Sequence, residues 1–205
     1  MAGRLSAVLV TAEEGGVEET LGTVGRALQG GLRAVVVRRP RATARELFEV
    51  ARQLRPATRR LDSLLLVSDR IDVALAADAD GVHLGARSLP PAAARRILAP
   101  GMLLGLSVHN LDEAGQAEEE GADYLFLGPI FPTASHPGRA PVGLEVYREA
   151  VLRSRIPVVA IGGVDGSNVG EVARAGGPGA AAIRAFHDAP DAAETARLFR
   201  AAFGG

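Results

Sequence analysis

The chain has 205 residues, 47% of them apolar and 23% charged, with a formal net charge of −1. This suits one well-buried core, is short for two ordinary domains, and offers no basic field for a nucleic-acid backbone. Cysteine, tryptophan and lysine are absent, which excludes disulfides, thiolate metal sites, cysteine nucleophiles, Schiff-base chemistry and a P-loop lysine.

Met1-Ala2-Gly3-Arg4 leads directly into an apolar run, Leu5–Val10, with no signal-peptide pattern. No stretch approaches the roughly 18–20 apolar residues of a membrane span. The expected location is the cytoplasm, with neither membrane nor nucleic acid as partner. Leu5–Val10 reads as a strand and Val17–Gln29 as a helix; the strand Ala34–Val37 and the helix Thr43–Leu54 follow. Next come Leu64–Val67 with Ile71–Ala77, and Gly81–Leu84 with Pro91–Leu98, where Pro90 and Pro91 suit a first helical turn. Leu103–Val108 precedes the helix Leu111–Glu120, capped by Asn110 or Asp112 and ended by Gly121. Tyr124–Leu127 with Leu144–Arg153, Pro157–Ile161 with Ser167–Ala175 (ended by Gly176), and Ala180–Ile183 with Asp191–Phe203 complete the series. The dipeptide Ala-Asp precedes two strands, as Ala79-Asp80 and Ala122-Asp123.

The apolar runs are β-branched or leucine-rich with little polar alternation, as in strands buried on both faces. Eight strand–helix units of about 25 residues each predict a (β/α)8 TIM barrel, a single α/β domain over residues 1–205. A doubly wound open sheet competes, but Thr11-Ala12-Glu13-Glu14-Gly15-Gly16 after the first run is not its glycine-rich fingerprint.

In a parallel barrel the chemistry gathers at the C-terminal ends of the strands. Arg38, Arg39 and Pro40 follow the second run, Ser68-Asp69-Arg70 ends the third, and Gly85-Ala86-Arg87-Ser88 follows the fourth. Gly162-Gly163 after the seventh run reads as a phosphate site or as a tight turn, and Arg184 as its charged partner or a solvated arginine. Thr133 and Ser135 form a hydroxyl pair for a phosphate or organic ligand, or belong to a proline-braced surface loop. His136 beside them is a candidate acid or base. His83 reads as a packed core histidine, His109 as intermediate, and His187 as surface. Asp69 is a Mg2+ ligand, a helix cap or a partner of Arg70.

The ordered segments Leu66–Arg70, Gly81–Gly85, Gly105–His109, Gly128–Thr133 and Val159–Gly163 resemble the thiamine-phosphate synthase family, including its TenI-like thiazole tautomerase relatives. The resemblance runs from about Leu5 to Phe203. Synthases of the family join a pyrimidine pyrophosphate to a thiazole phosphate. The resemblance implies a Gln-x-Arg-x-Lys motif after strand two, a lysine after the Thr-x-Thr of the sixth loop, and two Mg2+-binding aspartates. Here the corresponding positions are Val36, Arg38, Pro40, His136, Asp69 and Ser88. The thiazole-phosphate positions Thr133, Ser135, Gly163 and Ile183 match, Ser107 matches, and Arg184 replaces a serine.

These departures make the leading expectation a TenI-like protein that binds a thiazole phosphate, with thiazole tautomerase activity, an isomerase reaction in which a proton moves. His136, Ser107 and Arg38 would be catalytic. Thr133, Ser135, Gly162, Gly163, Ile183 and Arg184 would bind the phosphate, with no cofactor. The alternative is a thiamine-phosphate synthase, a transferase, in which Arg39, Arg87 and His136 offset the missing lysines and Asp69 holds Mg2+. A non-catalytic phosphate-ligand-binding or regulatory barrel is the third reading. A homodimer is the default assembly.

Overall fold

The computed structural model describes residues 2–13, 15–133, 138 and 140–204. Strands β1 (Ala7–Val10), β2 (Ala34–Val37), β3 (Leu64–Ser68) and β4 (Gly81–Leu84) alternate with helices α1 (Val17–Gln29), α2 (Ala44–Arg60), α3 (Ile71–Ala76) and α4 (Pro91–Ile97). The second half repeats the pattern with β5 (Leu103–Val108), α5 (Leu111–Glu119), β6 (Tyr124–Leu127), α6 (Gly143–Arg153), β7 (Val158–Ile161), α7 (Val169–Arg174) and β8 (Ala180–Ala182). Two helices follow it, the four-residue α8 (Arg184–His187) and the longer α9 (Ala192–Ala202). Each strand pairs in parallel with the next, and β8 pairs with β1, so the sheet closes as a (β/α)8 TIM barrel. Among the described residues no helix is long and apolar enough to cross a membrane.

Burial on both faces explains the unbroken apolar runs. Val8, Val10, Val36, Leu64, Leu66, Tyr124, Phe126 and Val159 fill the barrel interior. Their neighbours Leu9, Val35, Val37, Leu65, Val67 and Leu125 pack outward against the helices. Apart from the Tyr124 hydroxyl, the inward positions of these strands turn polar towards the C-terminal ends of β3, β4 and β5, at Ser68, His83 and Ser107. Ser68 stands opposite His83, and His83 opposite Gly105, in the strand registers.

The Ala-Asp dipeptides serve the opposite end. The Asp80 carboxylate accepts the Leu65 N–H at 2.7 Å and both terminal nitrogens of Arg55 at 2.7 and 3.1 Å. The Asp123 carboxylate does the same with the Leu104 N–H at 2.8 Å and Arg95 at 2.7 Å. Each aspartate therefore ties the start of its own strand to the preceding strand and to the helix before that.

Several element ends shift by one or two residues from the sequence expectation, and three departures have a clear physical cause. Leu5 lies in a 3-10 turn rather than in β1, yet it is fully buried and plugs the barrel interior. Helix α2 runs through Pro56 to Arg60 instead of stopping at Leu54. Its buried stripe Leu47, Val50, Ala51, Leu54 and Thr58 continues past the proline, and that packing outweighs the lost backbone bond. Helix α8 is too short to show a period in the sequence. The Asn110 cap, by contrast, is where it was expected, accepting the Glu113 N–H at 2.8 Å.

Candidate active site

The C-terminal ends of the strands surround a cavity of about 960 Å³. Arg38, Asp69, Ser107, Thr133, Gly162, Gly163, Ile183 and Arg184, all expected from the sequence, line it. Ser135 and His136 lie outside the described residues. Arg87 and Ser88 also line the cavity, with His83 and Phe126 at its floor. Arg39 does not: its guanidinium bonds the Gly15 carbonyl at 3.0 Å and the Thr20 hydroxyl at 3.3 Å, so it is not available to replace a cavity lysine.

One side of the cavity is backbone. Gly162 and Gly163 have φ of +91° and +70°, a region that favours glycine. Space demands glycine as well, because a Cβ would lie 2.7 Å from Pro129 Cα at Gly162 and 2.6 Å from the Pro132 carbonyl at Gly163. Asn168 Nδ2 donates to the Gly163 carbonyl at 2.8 Å and holds the turn. Ile183 and Arg184 enter from the junction of β8 and α8, completing the position after strands seven and eight where this fold receives phosphates. Thr133, in the β6–α6 loop, also lines the cavity.

The other side holds Asp69, at φ +62°, which aspartate tolerates better than most side chains. Its carboxylate accepts hydrogen bonds from the hydroxyls of Ser68 and Ser88 and from the Gly85 N–H. Burial alone would raise its pKa, but these donors outweigh burial and hold it below the ordinary value. Among the described residues no cluster of three or more aspartates, glutamates or histidines gathers to hold a metal. The donor set is one carboxylate flanked by two hydroxyls. That suits an ion such as Mg2+, which binds through one or two carboxylates and takes its remaining ligands from waters and substrate phosphates.

The arginines decide the electrostatics. The guanidiniums of Arg38, Arg87 and Arg184 line the cavity, and none has a hydrogen-bond or ion-pair partner among the described residues. Of the carboxylates, Asp69 is engaged as described, Asp165 accepts the N–H and hydroxyl of Ser167, and Asp188 sits exposed at the rim. Unpaired arginines around a concave site match an anionic, multiply phosphorylated ligand.

The family model described as thiamine monophosphate synthase matches residues 7–186. The chain belongs to the thiamine monophosphate synthase family. A thiamine-phosphate synthase from Chloroflexus aurantiacus is 47% identical over 176 residues, 85% of this chain and 81% of that protein. One from Synechocystis is 45% identical over 181 residues, which cover 88% of this chain but only 52% of that longer protein. The solved structure of thiamine phosphate pyrophosphorylase from Pyrococcus furiosus superposes with a TM-score of 0.89 at 40% identity, covering 98% of this chain and 96% of that one.

Among this family's cavity residues, His83 escaped the sequence reading as a functional group. It was expected to be a packed, hydrogen-bonded core histidine, and it is one, at 6% exposure. It also faces the cavity. The signal available was its register: His83 pairs beside Ser68, another inward polar residue at a strand end.

Proposed function

We propose that the protein is an enzyme of thiamine biosynthesis that acts as a thiamine-phosphate synthase, a transferase joining hydroxymethylpyrimidine pyrophosphate to a thiazole phosphate. The observation that carries this reading is the trio of unpaired guanidiniums around one cavity that also contains the Gly162-Gly163 turn. Two separate anionic groups can be held there. The thiazole phosphate would rest on Gly162, Gly163, Ile183, Thr133 and Arg184. The diphosphate would face Arg38 and Arg87 on the Asp69 side.

In the reaction the bond from the pyrimidine methylene to the diphosphate oxygen breaks, and its electron pair leaves with the diphosphate. The thiazole nitrogen then forms the new bond to that carbon. Arg38 and Arg87 stabilise the charge that develops on the leaving diphosphate, as fixed donors that need no reorganisation. Asp69 would hold a Mg2+, which when bound neutralises diphosphate charge. The glycine turn and Arg184 fix the thiazole phosphate so that the ring nitrogen is presented to the carbon.

The names of the relatives favour this reading over the tautomerase expectation. That expectation assigned the proton transfer to His136, which lies outside the described residues. Of the described histidines, His83 has both ring nitrogens bonded, His187 Nε2 accepts the Ala12 N–H at 3.0 Å, and His109 lines the cavity with its Nδ1 bound to Glu113 at 3.0 Å.

The test is incubation with Mg2+, the pyrimidine pyrophosphate and the thiazole phosphate, following pyrophosphate and thiamine phosphate. The expected result is enzyme-like turnover that needs both substrates. Tautomerisation of thiazole carboxylate phosphate without pyrophosphate release would replace the reading with the tautomerase one. Tight binding of the thiazole phosphate with neither reaction would leave a non-catalytic barrel.

A further inference from the structure

Beneath the phosphate positions lies a buried polar chain that spans three strands. His83 on β4 is sandwiched between two neighbours: its Nδ1 is 3.3 Å from the Tyr124 hydroxyl and its Nε2 is 2.9 Å from Ser107 Oγ. Phe126 stacks on the imidazole with ring centroids 4.1 Å apart and planes tilted by 30°, which fixes the ring plane. Tyr124 comes from β6 and must cross β5 to reach His83. It crosses at Gly105, the β5 residue paired with both His83 and Tyr124. A Cβ at Gly105 would lie 2.0 Å from the tyrosine ring, so the missing side chain is the opening through which the hydroxyl passes.

The direction of the protons follows from counting donors. Tyr124 is fully buried, and His83 Nδ1 is the hydrogen-bond partner of its hydroxyl among the described residues. A buried hydroxyl hydrogen needs an acceptor, so Tyr124 donates and Nδ1 accepts. An imidazole whose Nδ1 accepts carries no proton there, and burial of the ring favours that neutral form. In a neutral ring whose Nδ1 accepts, the single proton sits on Nε2 and is donated to Ser107 Oγ. The serine hydrogen then has the cavity as its outlet, since Ser107 lines it and is only partly buried.

We infer that Tyr124 and His83 are positioning residues that lock Ser107 as a hydrogen-bond donor aimed into the cavity. Ser107 then neither takes up a proton nor attacks as a nucleophile. The site accepts at its floor a ligand atom that carries a lone pair, and it disfavours one that presents a hydrogen. The consequence for rate rests on the synthase reading, but the proton arrangement does not.

Two measurements separate these. Nitrogen NMR of the histidine-labelled, ligand-free protein at neutral pH reports the His83 tautomer directly. The expected spectrum has the proton on Nε2 and an unprotonated Nδ1, and Tyr124→Phe abolishes that fixed assignment. A proton on Nδ1, or a spectrum unchanged in Tyr124→Phe, overturns the inference. In the pyrophosphate-release assay, His83→Leu is expected to lower kcat about 100-fold and Tyr124→Phe about 10-fold, with KM changed less than threefold. His83→Gln, which restores a donor to Ser107, is expected to recover at least tenfold over His83→Leu. Equal rates for the glutamine and leucine variants overturn the inference. A wild-type protein with the Nε2–H tautomer but no turnover breaks the synthase reading and leaves the proton arrangement standing.

Discussion

The two ends of the barrel use arginine in opposite ways. At the N-terminal ends of the strands, Arg55 and Arg95 are each fastened to an aspartate that also takes a strand N–H. At the C-terminal ends, Arg38, Arg87 and Arg184 stand around a cavity with no partner for their guanidiniums among the described residues. The chain carries no lysine, so the same side chain must meet both needs. The difference is the partner: where arginine holds the fold the sequence supplies the carboxylate, and where it lines the cavity the described residues supply none.

The sharpest way to break this contrast is to remove cations from the open end. A double variant, Arg38→Ala with Arg184→Ala, is expected to lose about 150- to 25,000-fold in kcat/KM, at roughly 1.5–3 kcal/mol for each of two charge-assisted bonds. Its thermal midpoint should remain within a degree or two of the wild type, because neither guanidinium holds a partner. A large drop in melting temperature with modest kinetic loss would show that these arginines are structural after all.

The closed end should respond the other way round. Asp80→Ala leaves Arg55, whose side chain is only 14% exposed, without its carboxylate, and the Leu65 N–H without its acceptor. The expected loss of stability is about 3 kcal/mol, the low end for breaking a buried pair because Asp80 itself is partly exposed. Asp123→Ala should cost less, about 2 kcal/mol, since both members of its pair are more than a third exposed and solvent screens them. Urea titration gives both numbers. At a temperature where the variants remain folded, their kcat should match that of the wild type. A selective kinetic defect in the folded variants would mean that the two ends are coupled.

Much of this architecture was legible in the sequence because a barrel strand is buried on both faces and announces itself as an apolar run. All eight runs became strands, and many of the polar residues at their C-terminal ends line the cavity, though Arg39 and Arg70 do not. The departures have local causes. Pro56 looks like a helix end, but the buried stripe of α2 continues through Leu54 to Thr58 and carries the helix over it. The four residues of α8 are fewer than the two turns a period needs. Arg38 and Arg39 are adjacent and chemically identical, and only the β2–α2 geometry turns one into the cavity and the other towards Gly15 and Thr20. His83 was readable as buried but not as part of the site, because its function depends on Tyr124, 41 residues away, reaching it across Gly105.

The smallest expected effect tests the floor of the open end without substrate. The His83 pKa is about 3 in the folded protein against an ordinary value of 6.5, chiefly through burial. The nearby Arg38 guanidinium lowers it further, and Asp69 opposes both. Below pH 6.5 the unfolded chain takes up a proton that the folded protein refuses, so protonation favours unfolding. The stabilisation from a neutral His83 is therefore complete above pH 6.5 and is lost as the pH falls towards 3. One unit below 6.5 the loss is about 1.4 kcal/mol, as for any group that titrates only when unfolded. The Asp69 carboxylate acts with the same sign, but only lower, as the pH falls below its ordinary 3.8. Glu46 and Glu49, whose carboxylates are also held low by hydrogen bonds, add the same sign below their ordinary 4.5, so the histidine is read between 6.5 and 4.5. His83→Gln should flatten the dependence of unfolding free energy on pH across that interval, measured by urea titration at each pH. Parallel curves for wild type and variant would mean that the folded protein takes up the proton as readily as the unfolded one. The imidazole would then not be sealed beneath the phosphate positions, and the contrast between a dry, ordered floor and an open ring of cations above it would fail.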